Sequence, residues 1–165
     1  MSYSPSTKLL NLAAASRWAN ATHRRGLRIV ATNGCFDLLH YGHVNYLQRA
    51  RKLGDLLVVG LNSDRSVRQL KGAPRPLVHA KHRAGVLAAL ACVDAIVIFP
   101  QKRAHRFLAT VRPNIYVKGG DYRPEFLDAE ERAVLTAVGA KVRILPFVRG
   151  FSTTSLINKI RRCSL

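Results

Sequence analysis

Residues 32–54 read TNGCFDLLHYGHVNYLQRARKLG, and the fold follows from them. Just before them stands Ile29-Val30-Ala31, an apolar run that reads as a buried strand. A loop over 33–39 follows, and the spacing predicts a helix from about Tyr41. Val44, Leu47, Ala50 and Leu53 give that helix an apolar stripe, with Gln48, Arg49, Arg51 and Lys52 mostly off it. Gly54 is a stop signal, because glycine accepts the left-handed conformation at a helix end. Strand, glycine-containing loop and helix start thus follow one another, with two histidines where the helix begins.

A helix start carries unpaired N–H groups and a partial positive charge, so it attracts phosphate. Gly34 lets the backbone approach a ligand, and Gly42 keeps the first helical turn uncluttered. His40 and His43 are three apart and can face one point. Two imidazoles aimed there can donate hydrogen bonds to a phosphate whose charge grows during a reaction. Two other readings stand beside this one: a pair of surface or capping histidines, and half of a metal site. No further ligand lies at helical spacing, so no protein-held metal is expected.

Outward from this stretch, strands and helices alternate. Residues 56–61 form a second apolar strand, followed by Asn62-Ser63-Asp64. Residues 64–71 are short, polar and basic, and the prolines of 72–76 make a loop. A helix over 79–91, a strand over 95–99 and a helix over 104–111 come next. A fourth strand, 115–117, ends in Lys118-Gly119-Gly120-Asp121. A helix over 128–138, a fifth strand over 142–147 and a last helix over 155–161 complete the series. This order implies a Rossmann-like open parallel sheet of five strands with helices on both faces. The polar clusters after strands one, two, four and five lie at C-terminal strand ends, where they converge on one crevice. Lys118 and the glycines beside it read either as a plain turn or as a ligand-facing loop. Ser152, Thr153 and Thr154 read either as an N-cap or as a second phosphate cradle.

The chain has 165 residues and 48% hydrophobic content, enough for one domain with a real core. An N-terminal helical segment, 1–27, is expected to pack on a domain over 28–165, with Leu9, Leu10, Leu12, Trp18 and Ala21 on its apolar face. No apolar run is long enough to span a membrane. Cys35, Cys92 and Cys163 show no paired spacing, which suits a reducing cytoplasm. Lys and Arg number 27 against 9 Asp and Glu, a formal charge of +18. Such a field attracts polyanions, from small phosphorylated substrates to nucleic acid. Five of the nine acids, Asp121, Glu125, Asp128, Glu130 and Glu131, sit in one short stretch. Aromatic content is 7%, and no basic run is interleaved with aromatic residues, so nucleic acid is the lesser reading.

Taken together, TNGCFDLLHYGH, the LNSD after the second strand, LKG followed by RP, VKGGDY and FSTTSLI resemble the cytidylyltransferase-like nucleotidyltransferases. Within them the likeness is to the adenylyltransferase domain of ADP-heptose synthases, in its stand-alone form, and runs from about Arg28 to Ile160. The resemblance implies that an oxygen of a heptose 1-phosphate attacks the α-phosphorus of ATP, with pyrophosphate leaving and Mg²⁺ bridging the triphosphate. A phosphate nucleophile is already anionic at pH 7, so positioning and charge stabilisation carry the catalysis. It also implies roles. His40 and His43 are catalytic and hold phosphate oxygens. Thr32, Asn33, Gly34, Cys35, Phe36, Lys118, Gly120, Asp121, Ser152, Thr153 and Thr154 bind the nucleotide. Asp37, Asn62, Lys71 (or another basic residue of 65–75) and Arg83 meet the acceptor or pyrophosphate. A homodimer is expected on the same ground. Two departures stand out. Ala91-Cys92-Val93-Asp94 lacks the arginine with which the glycerol-phosphate and choline-phosphate cytidylyltransferases bind CTP. Arg149 stands where relatives often carry an acid, a change that nothing here explains. The alternatives are cytidylyl transfer to an alcohol phosphate such as glycerol 3-phosphate, and a basic nucleic-acid-binding protein.

Overall fold

The computed structural model describes residues 5–120 and 127–163. After a short 3-10 turn come β1 (Leu9–Leu10), α1 (Leu12–Arg24), β2 (Ile29–Gly34), α2 (Tyr41–Arg51) and β3 (Leu56–Asn62). Then follow α3 (Asp64–Lys71), α4 (Ala80–Ala88), β4 (Ala95–Phe99), α5 (His105–Val111) and β5 (Ile115–Gly119). The series closes with α6 (Ala129–Ala137), β6 (Lys141–Leu145) and α7 (Thr153–Cys163). The strands form one sheet in the order β1-β4-β3-β2-β5-β6, and every neighbouring pair is parallel.

The sheet has six strands where the sequence predicts five. The sixth is β1, whose Leu9 and Leu10 pair with Ile96 and Val97. Two residues are too few for a period to show, so the pair reads from sequence as part of the following helix. That helix starts later, with Asn11 as its cap accepting the Ala14 N–H at 2.8 Å. Residues 64–71 also gain structure, as α3, capped by the Ser63 hydroxyl on the Ser66 N–H.

Helices cover both faces, as buried parallel sheets require. On one face Ala15 and Ala19 of α1, Phe107, Leu108 and Val111 of α5 and Leu135 of α6 pack on Ile29, Ala31, Val58 and Val97. On the other, Leu47 and Ala50 of α2 with Ala84, Leu87 and Ala88 of α4 pack on Val30, Leu57, Val59 and Ile96. Gly60 lies mid-strand in β3, and the Phe107 ring occupies the space a side chain there would need: an added Cβ would stand 2.8 Å from two ring carbons.

The strand order fixes where a ligand can sit. From β2 the chain steps to β3 and β4 on one side, then returns to lay β5 and β6 on the other. The switch point is the gap between the C-terminal ends of β2 and β5, where crossover connections leave opposite ways and a crevice opens.

Candidate functional site

A cavity of about 570 Å³ opens at that switch point. Its floor is Asn33 and Gly34 at the end of β2 and Lys118 and Gly119 at the end of β5. The Asn33 side chain ties the two strands together. Its Oδ1 accepts from the Tyr116 hydroxyl at 2.5 Å and from Lys118 Nζ at 2.9 Å.

One wall is the loop Cys35-Phe36-Asp37 and the start of α2. Phe36 adopts φ 44°, a left-handed backbone that costs a non-glycine residue energy and that the surrounding packing must hold. His40 is the N-cap of α2, yet its side chain makes no capping bond. The rings of His40 and His43 instead stack, centroids 3.9 Å apart and 17° from parallel. The Phe36 ring meets His43 edge-on at 5.1 Å. Both nitrogens of His40 and Nδ1 of His43 are buried without a hydrogen-bond partner. Burial lowers the pKa of both imidazoles, and that of His43, next to His40, falls to about 4 despite a backbone contact with Leu38. Both rings are therefore neutral at pH 7. Orphaned buried polar atoms are rare, and three of them in one stacked pair mark a place built for a ligand.

The opposite wall is the start of α7. Ser152 caps it, its Oγ accepting the Ser155 N–H at 3.0 Å. Thr153 and Thr154 line the cavity beside it. The two helix starts meet: a Cβ on Gly42 would lie 2.9 Å from Cβ of Phe151. Two positive helix ends therefore face one space.

Of the residues singled out from sequence, 33–37, His40, His43, Asn62, Lys71, Lys118 and 152–154 line this cavity together. Thr32 stands behind it, its hydroxyl 2.7 Å from that of Tyr46. Gly120 is buried outside the lining with φ 92°. Asp121 lies outside the described residues.

Two of the residues expected to meet the acceptor or pyrophosphate also differ from expectation. Arg83 is 2% exposed and does not line the cavity. Its guanidinium donates to the carbonyls of Val78, Cys35 and Asn62 and to Asp64 Oδ1 at 2.7 Å, so it braces the wall from behind. Asp37 lines the cavity, but its carboxylate accepts from Arg75 Nε and from the N–H groups of Leu77 and Val78. It clamps the 75–78 loop, which leaves it poorly placed to read sugar hydroxyls. The segment 91–94 lies at the opposite end of the sheet, where Asp94 accepts the Leu57 N–H at 2.7 Å.

The sequence reading missed Tyr46, Lys102, Arg103, Glu131, Phe147 and Phe151, all in the lining. Tyr46 hides off the apolar stripe of α2, and its hydroxyl donates to the Val117 carbonyl across the sheet at 2.9 Å. Lys102 and Arg103 follow β4, the one strand whose polar end was passed over. Among 27 basic residues they offer no contrast.

Among the described residues no group of three His, Cys, Asp or Glu side chains could hold a metal ion. Among the described residues the lining carboxylates are Asp37 and Glu131, and both accept hydrogen bonds from the protein itself. Cations predominate instead: Lys71, Arg75, Lys102, Arg103 and Lys118. Burial raises the pKa of the Cys35 thiol beyond what nearby Lys71, Arg83 and Arg75 offset, so it stays protonated. The arrangement suits a polyphosphate.

A family model described as cytidylyltransferase-like matches residues 31–160. The bifunctional protein HldE of Geotalea uraniireducens is 54% identical over 158 residues, 96% of this chain and 32% of that protein. HldE of Geobacter metallireducens is 50% identical over 155 residues, 94% of this chain and 31% of its own length. The chain thus spans about a third of the length of the curated relatives it matches. A solved lipopolysaccharide core biosynthesis protein from Thermoplasma volcanium superposes with a TM-score of 0.62 at 29% identity, covering 74% of this chain and 98% of that one. Pantoate-beta-alanine ligase from Francisella tularensis shares the fold, with a TM-score of 0.57 at 13% identity over 93% of this chain and 77% of its own.

Proposed function

Because the chain belongs to the cytidylyltransferase-like family, we propose that it transfers the adenylyl group of ATP to a heptose 1-phosphate, releasing pyrophosphate and an ADP-heptose. The observation that carries this reading is the stacked, unpartnered histidine pair facing a second helix start across a cation-lined cavity. The choice of ATP and of a heptose rests on the likeness of the motifs to the adenylyl branch and on the match to the HldE proteins. A precursor for lipopolysaccharide or capsule heptose is the product that fits, and the similar protein from Thermoplasma volcanium bears on lipopolysaccharide core synthesis.

In this reading the acceptor phosphate attacks the α-phosphorus in line, and the P–O bond to the β-phosphate breaks. His40 and His43 donate to α- and β-phosphate oxygens as charge builds there. The N–H groups of the 34–36 loop and of the α2 start add to them. Thr153 and Thr154 grip the triphosphate from the α7 side. Lys71 and Arg75 meet the acceptor phosphate, while Arg83 and Asp37 hold the loops that carry these groups. Mg²⁺ would arrive with the substrate as MgATP and would need few direct protein ligands. We propose a homodimer, and a monomer mass in light scattering at micromolar concentration would refute it.

The test is a pyrophosphate-release assay comparing ATP with CTP, and heptose 1-phosphate with glycerol 3-phosphate. The expected outcome is turnover with ATP and the heptose. In the same assay His40→Ala or His43→Ala should lose about 10²–10³-fold in kcat with little change in ATP affinity. Faster turnover with CTP and glycerol 3-phosphate would overturn the branch assignment.

A further inference from the structure

The first turn of α6 concentrates negative charge in a chain that has little of it. Glu130 and Glu131 stand there with Asp128 as the cap, and each meets a group of the segment 103–105 that leads into α5. Asp128 Oδ2 lies 3.2 Å from Arg103 Nε, and Glu130 Oε2 lies 3.0 Å from His105 Nδ1. Glu131 differs from the other two in being 3% exposed. Its Oε1 accepts the Ala104 N–H at 2.7 Å, and its Oε2 lies 3.9 Å from Lys118 Nζ.

We propose that Glu131 is a positioning residue of the proposed adenylyl transfer, holding Lys118 and the Lys102-Arg103 rim in the arrangement that receives the polyphosphate. The inference rests on the function proposed above. The bond to Ala104 fixes the backbone immediately after Arg103, so the rim cations cannot swing away. At 3.9 Å the second oxygen acts on Lys118 by charge rather than by hydrogen bonding.

That charge is needed because of what surrounds Lys118. Among the described residues it faces Asn33 of β2, the Tyr116 ring of β5 at 5.2 Å, Arg103 of the loop after β4, and Glu131. Burial lowers the ammonium's pKa, Glu131 raises it, and Arg103 lowers it. Of the groups named, Glu131 is the one that brings a negative charge, which favours the ammonium before a ligand arrives. Without it, burial and the Arg103 charge would still oppose the ammonium, and the Glu131 charge that offsets them would be lost.

The experiment follows the amine directly. Lysine acylation, read by mass spectrometry across pH 7 to 10, measures how Lys118 titrates whether or not the protein turns over. Glu131→Gln should move the Lys118 profile to lower pH by about one unit relative to the wild-type chain. The alkaline limb of pyrophosphate release should move with it, and KM for ATP should rise several-fold. Combining Glu131→Gln with Lys118→Ala should leave no further shift in that limb. Identical Lys118 profiles in the wild-type and Glu131→Gln chains would overturn the proposal, as would an equal limb shift in the Lys118→Ala background. If Glu131→Gln does not fold, Glu131→Asp decides. It withdraws the carboxylate by one methylene and should give a smaller shift in the same direction, and a wild-type profile there counts against the role. A wild-type chain that turns over none of the tested pairs would sink the proposed function, while the acylation profiles would still judge Glu131.

Discussion

His43 is held between the ring of Phe36 and the ring of His40, with Nδ1 buried and unpartnered. Its protonation therefore differs between the folded and unfolded chain. The folded pKa is about 4 against an ordinary value of 6.5, so between those limits the unfolded state binds more protons. Stability from this residue is fully present above pH 6.5 and is lost as pH falls towards 4. The loss amounts to up to about 3 kcal/mol. Thermal melts at pH 7 and pH 5 should show a larger drop for the wild-type chain than for His43→Asn, which carries no titrating group. Equal drops would show that the ring is not held neutral. The two histidines were legible from their three-residue spacing beside a helix start. Arg83 was legible as a basic residue near the site, but its direction was not. A sequence does not tell whether a guanidinium turns out to a ligand or in to four protein acceptors.

At the scale of elements, packing decides what a glycine is for. Gly60 lets α5 sit close on β3, because the Phe107 ring fills the missing side chain's place. Gly60→Ala should destabilise the chain by about 1–3 kcal/mol through overpacking. KM for ATP should stay unchanged, since Gly60 does not line the cavity. A calorimetric Tm equal to wild type would show that the ring moves aside at little cost. Four of the longer strands were readable as apolar runs, and β6 from the spacing of Val142, Ile144 and Leu145. The short β1 was not, since Leu9 and Leu10 owe their pairing to the exposed edge of β4 and not to any local pattern. Likewise α3 has only Val67 and Leu70 as large apolar residues, and its Ser63 cap is the clearer sign of it.

For the whole molecule, the excess of 18 positive charges shapes encounter with ligands more than it shapes the fold. Five cations among the described residues line the cavity, so attraction of a polyphosphate should weaken as salt screens them. Raising KCl from about 0.05 to about 0.3 M shortens the screening length to roughly half. KM for ATP should rise several-fold while kcat changes little. A salt-independent KM, together with tight retention on a random DNA duplex at physiological salt and no turnover, would favour the nucleic-acid reading instead.

The switch-point geometry has a consequence for how such a site can be divided or passed on. Its lining comes from segments around 33–46, 62–75, 102–103, 118–119, 131 and 147–154, on both sides of β2. No fragment shorter than residues 33–154 contains it. A nick in the loop near 101 should therefore give two pieces that bind nucleotide only as a reassembled pair. Recombination inside the block would scramble the binding surface, whereas joining the intact block to another protein would not. The matches to the bifunctional relatives, which run over nearly all of this chain and about a third of theirs, have the shape expected of a unit inherited whole.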